Sequence, residues 1–203
     1  AMNDTLLVYG LNGDMLRPEN GYPLRDFIPV WEGNVSVKWL RRIKVSDKPW
    51  HLRSETARYT DPMPEGKWRQ FSMVMEAKSV ITKPSGGMKL KYGPGPYEIE
   101  GFAWSGKGTI THVDVTTDGG KTWQPAKLEE PVLDRCLTRF RYLWNWDGGP
   151  AKIASRAVDS TGYVQPTVAD IAKVRALSGF VQHHTAIFPW LVAPSGEVTN
   201  GIA

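Results

Sequence analysis

The chain has 203 residues, 41% of them hydrophobic, which is enough for one good-sized domain or for a small domain and part of another. Its 25 basic and 21 acidic residues give a net charge of +4 and are spread along the chain, so nucleic acid is not an expected partner. No run of about 18 apolar residues is present, so we expect no membrane insertion. The single cysteine, Cys136, excludes an internal disulfide framework and a multi-cysteine zinc site, and its position predicts a packed small hydrophobe.

The first 70 residues consist of short apolar runs separated by turns. Turn signals lie at residues 12–14 and 19–21, and residues 27–30 and 35–45 are expected to be extended. Residues 46–70 are polar and rich in Asp, Pro, Arg and Lys, which predicts a long connecting or functional loop. These pieces are too short to bury their own apolar faces. We therefore expect the chain to be a fragment or processed product whose first domain continues upstream.

From residue 71 onward, strand signals recur about every ten residues. A glycine-rich hairpin turn is expected at 118–121, and residues 137–144 alternate, with Phe140, Tyr142 and Trp144 on one face. This spacing predicts an antiparallel sandwich, with one helix at 167–177 capped by Thr167. The expected strands include residues 97–104, 110–117, 137–144, 151–158 and 187–192.

Two blocks of rare residues resemble the sulfite oxidase family of molybdenum-pterin enzymes. The first block contains Gly21-Tyr22-Pro23-Leu24-Arg25 and Val37-Lys38-Trp39-Leu40, and resembles the end of that family's cofactor domain. The second contains Asp118-Gly119-Gly120-Lys121-Thr122-Trp123 and Arg156-Ala157-Val158-Asp159, and resembles its dimerisation domain. Within the family, the segment Arg17 to Pro23 is most similar to the molybdenum subunits of bacterial sulfane dehydrogenases.

The resemblance implies a fold class and a division of the chain. It implies a mainly β protein, in which residues 1–70 are the carboxy-terminal remnant of an α+β molybdopterin domain and residues 71–203 are an immunoglobulin-like dimerisation domain. It further implies an oxidoreductase acting on sulfite or protein-bound sulfane sulfur in the bacterial periplasm. Its partners would be a second copy of the chain and a c-type cytochrome that accepts the electrons. The family's molybdenum-ligating cysteine lies upstream of the residues present, so this chain alone is expected to be inactive.

The same resemblance implies five cofactor-binding residues: Asn20, Arg25, Ser36, Val37 and Lys38. A pterin phosphate in a buried slot needs donors that stay protonated, and arginine and lysine meet that need as a planar fork and a point charge.

The resemblance also places two residues in the substrate pocket, Tyr59 and Arg175. Arginine suits a sulfur oxyanion because its donors are paired and its charge is permanent. Considered without the family, Tyr59 would be an amphipathic surface residue of a loop, and Arg175 the basic end of a helix, where the helix dipole favours its charge.

Two other functions explain parts of the sequence. A non-catalytic immunoglobulin-like interaction module would account for residues 71–203 and leave residues 1–70 as a flank. A carbohydrate-binding sandwich would account for exposed tryptophans among Trp104, Trp123, Trp144 and Trp146, but not for the block from Arg25 to Lys38. The adjacent residues His183 and His184 would point to opposite faces of a strand, so we expect a structural role and not a metal site.

Overall fold

The structure, a computed structural model, describes residues 5–50, 52–57, 59–70, 73–175 and 184–201. The chain divides into two compact units. The first comprises residues 1–75 and 174–184, and the second comprises residues 76–173 and 185–203. Among the described residues, no helix is long and apolar enough to cross a membrane.

The first unit consists of small two-stranded antiparallel sheets joined by turns. Strand β1 pairs with β4, β2 with β3, and β5 with β6. Two 3-10 turns lie at Pro18–Asn20 and Gly33–Val35. The elements are β1 Leu6–Val8, β2 Gly10–Leu11, β3 Asp14–Met15, β4 Arg25–Phe27, α1 Arg53–Ala57, β5 Thr60–Pro62 and β6 Trp68–Gln70.

Two expectations for this unit are wrong. Residues 27–30 and 35–45 are not extended throughout, because Val35 belongs to a 3-10 turn and Val30 and Trp39 have positive φ angles. The predicted loop at 46–70 contains α1 and the β5–β6 hairpin. The hairpin was not predicted because the stretch is polar and β5 has only three residues. Thr60, Asp61 and Pro62 are nevertheless all buried. Many apolar side chains of the unit are exposed, as the shortness of its elements predicted: Tyr9 is 68% exposed and Val45 is 92% exposed.

The second unit is an antiparallel, immunoglobulin-like β-sandwich. One sheet has the strand order β10-β9-β13-β14-β15 and the other has the order β11-β12-β8-β7. Its elements are β7 Lys78–Lys83, β8 Gly95–Trp104, β9 Ile110–Thr116, β10 Gln124–Pro125, β11 Lys127–Leu128, β12 Thr138–Trp146, β13 Ala151–Asp159, α2 Val168–Val174, β14 Trp190–Val192 and β15 Val198–Asn200. Helix α2 starts in this unit, and its last residue belongs to the first unit.

The sandwich core fills the space between the two sheets. Ile99 and Phe140 from one sheet and Val113 and Ile153 from the other have no solvent exposure. Gly101 of β8 is required by this packing, because an added Cβ would collide with the Phe140 ring. The alternation predicted for residues 137–144 is confirmed, since Phe140 and Trp144 are buried and Leu143 is 73% exposed.

A buried polar cluster ties the two sheets together. Ser79 of β7 donates from its hydroxyl to Ser155 Oγ of β13 over 2.8 Å. Gln165, 1% exposed, accepts from the backbone N–H groups of Ser79 at 2.8 Å and Ala157 at 3.1 Å. Its amide nitrogen donates to the carbonyl oxygen of Ser79 over 3.3 Å. Burying a polar group lowers stability unless the group is hydrogen-bonded, so this cluster fixes the position of one sheet relative to the other.

The predicted strands and helix are found with small shifts of their ends. Helix α2 begins after Thr167, whose hydroxyl accepts from the Asp170 backbone N–H over 3.2 Å, as expected of a cap. The predicted helix end at residue 177 lies outside the described residues. The expectation for Cys136 is wrong: the residue precedes β12 and is exposed, because the turn before that strand faces solvent.

Candidate functional site

The candidate cofactor site is built around the 3-10 turn Pro18–Asn20. The turn ends at Gly21, which has a φ of 109° and donates its backbone N–H to the carbonyl oxygen of Pro18. This left-handed conformation favours glycine. A Cβ at residue 21 would lie 3.1 Å from Lys38 Cβ and 3.3 Å from Arg25 Cβ. The absence of a side chain at Gly21 therefore lets Arg25 and Lys38 approach the same turn.

Both basic side chains donate to backbone carbonyl oxygens of that turn. Arg25 Nη1 donates to the Asn20 carbonyl over 3.1 Å, and Lys38 Nζ donates to the Glu19 carbonyl over 2.7 Å. A guanidinium has five N–H donors and an ammonium three. Within the described residues, donors of both side chains are left over. Two basic side chains thus meet at one turn with capacity for an anion.

Ser36 and Val37 lie beside β4, next to the two cations. Ser36 Oγ accepts from the Ile28 backbone N–H over 3.2 Å. Val37 accepts from the Asp26 backbone N–H over 3.2 Å, and its own N–H donates to the Asp26 carboxylate. These bonds hold the segment from 36 to 38 against β4, so the structure brings all five predicted cofactor residues together.

The site is open in the described part of the chain. Arg25, Asn20 and Ser36 are half-buried, whereas Val37 and Lys38 are exposed. Within the described residues these side chains form an open cradle, so the buried slot expected for a pterin phosphate is not closed there. A further polar atom lies in the turn just before Ser36: Asn34 Oδ1 is buried and has no hydrogen-bond partner among the described residues. Such an acceptor calls for a donor from outside the described chain.

The two predicted substrate residues belong to the same unit. Tyr59 is half-buried immediately before β5, and Arg175 follows α2 and is 7% exposed. Arg175 Nε lies 3.8 Å from Asp61 Oδ2, and Asp61 is 1% exposed. The ion pair therefore ties Arg175 to the segment that carries Tyr59. Arg175 is not the solvated end of a helix.

The remaining candidates do not form a second site. Among the described residues, no group of three or more His, Cys, Asp or Glu side chains is placed to hold a metal ion. His184 is exposed, and His183 lies outside the described residues. Trp144 and Trp146 are buried at 7% and 2% exposure, so they belong to the core and do not offer a carbohydrate platform.

A cavity of about 740 Å³ lies in the sandwich unit and contains none of the predicted site residues. Arg156 in its wall is already bound to Asp114, Nη2 to Oδ2 at 2.8 Å, and stacks on Trp123 at 4.4 Å. Arg156 is thus already paired through Nη2. The cavity is a weaker candidate than the cradle because none of the predicted site residues lines it.

Three residues of the candidate site were missed from the sequence. Gly21 lies in the first block but had no assigned role, although a glycine directly after a Pro-Glu-Asn turn signals a left-handed backbone. Asn34 had no assigned role either. Asp61 carried no signal, because a buried aspartate in a polar stretch has the same sequence appearance as a solvated one.

Two family models match different parts of the chain. Residues 69–188 match the molybdenum-cofactor oxidoreductase dimerisation domain, and residues 1–53 match the oxidoreductase molybdopterin-binding domain. The chain is 33% identical to sulfite oxidase of Gallus gallus over 197 residues, covering 89% of this chain and 42% of that protein. It is 32% identical to NADH nitrate reductase 1 of Phaseolus vulgaris over 199 residues, covering 80% of this chain and 21% of that protein.

A solved structure is similar along the whole chain. The crystal structure of the sulfane dehydrogenase SoxCD from Paracoccus pantotrophus matches with a TM-score of 0.94 and 47% identity, covering 100% of this chain and 52% of that one. The chain thus spans about half the length of these proteins, or less. Because the dimerisation-domain match alone covers more than half of its residues, the chain belongs to the sulfite oxidase family of molybdenum-cofactor oxidoreductases.

Proposed function

We propose that the enzyme to which this chain contributes oxidises sulfite or protein-bound sulfane sulfur at a molybdenum-molybdopterin cofactor and passes the electrons to a c-type cytochrome. The observation that carries the proposal is the meeting of Arg25 and Lys38 at one turn, within the range that matches the molybdopterin-binding domain. The likeness to SoxCD favours sulfane sulfur as the substrate.

The residues present fit the cofactor in two respects. Arg25 and Lys38 offer basic N–H donors to a phosphate, and charge-assisted bonds of this kind are the stronger class of hydrogen bond. The buried oxygen of Asn34 fits an N–H donor such as those on a pterin ring. Arg25, Lys38, Asn20, Ser36 and Val37 would hold the cofactor, and the bound molybdenum supplies the site that accepts electrons from sulfur.

Tyr59 and Arg175 would complete the substrate pocket from this chain. In this proposal Arg175 holds an anionic or polarised sulfur group, and the Tyr59 hydroxyl donates a hydrogen bond to it. The ion pair of Arg175 with Asp61 supports the placement of Arg175 near Tyr59, because Asp61 lies two residues after Tyr59 in the sequence.

The experiment is metal analysis of the full-length enzyme combined with cytochrome c reduction. We expect about one molybdenum per chain and reduction that depends on sulfite or on a sulfane substrate. Purified enzyme without molybdenum, or molybdenum-loaded enzyme that reduces cytochrome c with neither substrate, would contradict the proposal.

The sandwich unit would serve as the dimer contact, as the matching domain's description suggests. It has a core of its own, which also fits the alternative of a non-catalytic interaction module. Light scattering at high micromolar concentration separates a dimer from a monomer, and the metal analysis separates the enzyme from the module. The periplasmic location stays a prediction from the resemblance.

A further inference from the structure

The second unit contains a cavity that shares no residue with the candidate cofactor site. Its volume is about 740 Å³, within the range of about 300–1,000 Å³ that is typical of small-molecule sites. An inorganic oxyanion would fill only a small part of it. Strand β13 lines the cavity with Lys152, Ala154 and Arg156, whereas its Ile153 and Ala157 belong to the core. Because alternate residues of a strand share a face, this sandwich cavity lies on the outer face of its sheet.

Apolar side chains form much of the cavity wall. Ala154 is 4% exposed, and its short side chain leaves the middle of the strand face free. The other apolar lining residues are Trp123, Val164, Pro166, Val168, Ile187 and Pro189. Sites for small organic ligands are lined in this way, with a few polar groups that fix the orientation of the ligand. The wall therefore favours a ligand with an apolar body.

Most polar side chains of the wall already have partners in the protein. The Gln165 amide is bonded to backbone groups of β7 and β13, and the Thr116 hydroxyl is bonded within the turn that follows β9. The Asp170 carboxylate accepts from the Thr167 hydroxyl over 2.7 Å and from the Lys173 ammonium over 2.8 Å. The charge of Asp170 is thus balanced by a lysine, and none of these groups requires a ligand.

The groups of the wall that keep spare donors are both cationic. Lys152 is exposed, and within the described part of the chain its ammonium makes no hydrogen bond or ion pair. Arg156 binds Asp114 through Nη2 at 2.8 Å and stacks on Trp123, but its Nε is buried and has no hydrogen-bond partner among the described residues. A buried donor of this kind calls for an acceptor that the protein itself does not supply.

We propose that the sandwich cavity binds a small amphipathic organic anion, with its apolar body over Ala154 and its negative group at Lys152. Asp114 largely balances the charge of Arg156, so Lys152 supplies the net positive charge and Arg156 adds a directed Nε donor. The ligand class is a single carboxylate or sulfonate group on an apolar body. This site is independent of the molybdenum cofactor and does not rest on the proposed function.

An NMR saturation-transfer titration of the full-length holoenzyme with three naphthalene probes tests this inference. The probes are anionic 2-naphthoate, neutral 2-naphthalenemethanol and cationic 2-naphthylmethylammonium, which share one apolar body and differ in charge. For a ligand of this size we expect 2-naphthoate to bind with a Kd of about 1 mM or tighter. It should bind about tenfold more tightly than the neutral probe, because it gains a charge-assisted hydrogen bond. Equal affinity for the three probes, or no binding of 2-naphthoate at millimolar concentrations, would overturn the proposal.

Two variants test whether the probe occupies the sandwich cavity. Lys152→Met keeps most of the side-chain stem and removes the charge, so the affinity for 2-naphthoate should fall about tenfold while that for the neutral probe stays the same. Ala154→Leu enlarges the side chain beneath the apolar body, so it should weaken both probes by about tenfold. Wild-type affinity for 2-naphthoate in either variant would refute the assignment.

Lys121→Met is the matched control, because Lys152 also lines a neighbouring cleft together with Lys121, whereas Lys121 does not line the sandwich cavity. This variant should bind 2-naphthoate as the wild type does. A loss as large as that in Lys152→Met would place the probe in the neighbouring cleft and contradict the proposal. If Ala154→Leu does not accumulate, Val168→Trp fills the cavity from an exposed position, and unchanged binding in that variant would equally exclude the site.

Discussion

Substitution of Gly21 by alanine tests whether the turn at 18–20 positions the two cations of the candidate site. The backbone there has a φ of 109°, which an alanine adopts with a strain of about 1–2 kcal/mol. The new methyl group would lie 3.1 Å from Lys38 Cβ and 3.2 Å from Lys38 Cα, with Arg25 Cβ at 3.3 Å. Relieving such overpacking typically costs about 1–3 kcal/mol, so we expect a total destabilisation of about 2–5 kcal/mol.

The assay is urea denaturation of the full-length enzyme followed by fluorescence, together with its molybdenum content after dialysis. Gly13→Ala is the matched control: its φ of 87° imposes similar strain, but no atom lies within 4 Å of the added Cβ. Gly13→Ala should keep its molybdenum, whereas Gly21→Ala should lose both stability and molybdenum. If the two variants lost equal stability and both retained molybdenum, the inferred role of Gly21 would be wrong.

Three further perturbations test the pocket, the sandwich and the acid response. Tyr59→Phe removes only the hydroxyl group, so steady-state kinetics should show a lower kcat at unchanged molybdenum content, and unchanged constants would place Tyr59 outside the pocket. Gln165→Leu deprives two buried backbone N–H groups of their acceptor, so urea denaturation should show a loss of about 2–6 kcal/mol, and a loss below about 1 kcal/mol would contradict the reasoning. Hydrogen bonds from Thr122 hold the pKa of Asp118 well below its usual value. The stability that this carboxylate contributes is therefore fully present above the unfolded-state pKa of about 3.9, and it is lost as the pH falls toward the folded-state pKa. The urea midpoint should therefore fall less steeply below about pH 4 in Asp118→Asn than in wild type, and parallel profiles would argue against this account.

The sandwich was predictable because its strands carry a period of two and its turns carry glycine. The alternation of Phe140, Leu143 and Trp144 predicted the buried and exposed faces of β12, and Thr167 marked the start of α2. Strands β7, β11 and β15 were not predicted. In β7 the apolar residues Val80 and Ile81 are adjacent, so hydrophobicity does not alternate along the sequence, and β11 and β15 have only two and three residues.

The first unit was harder to predict because its structure does not follow from local pattern. The β5–β6 hairpin lies in a polar stretch, and the buried Asp61 forms an ion pair with Arg175, which lies more than a hundred residues further along the chain. The sequence of one chain contains no signal that pairs Asp61 with Arg175. The five cofactor residues came from the family resemblance, and their meeting at one turn depends on Gly21, whose role the motif alone did not reveal.

The measurement that tests the account most directly is the molybdenum content of the full-length double variant Arg25→Ala/Lys38→Ala. Each substitution removes a charged donor from the cradle, which should cost about 1.5–3 kcal/mol of cofactor affinity. The control is Arg41→Ala/Arg42→Ala, which removes two exposed arginines from the same unit. We predict that after dialysis the Arg25/Lys38 variant has lost most of its molybdenum while the control retains it. Wild-type molybdenum content in the Arg25/Lys38 variant would contradict the claim that this turn holds the cofactor.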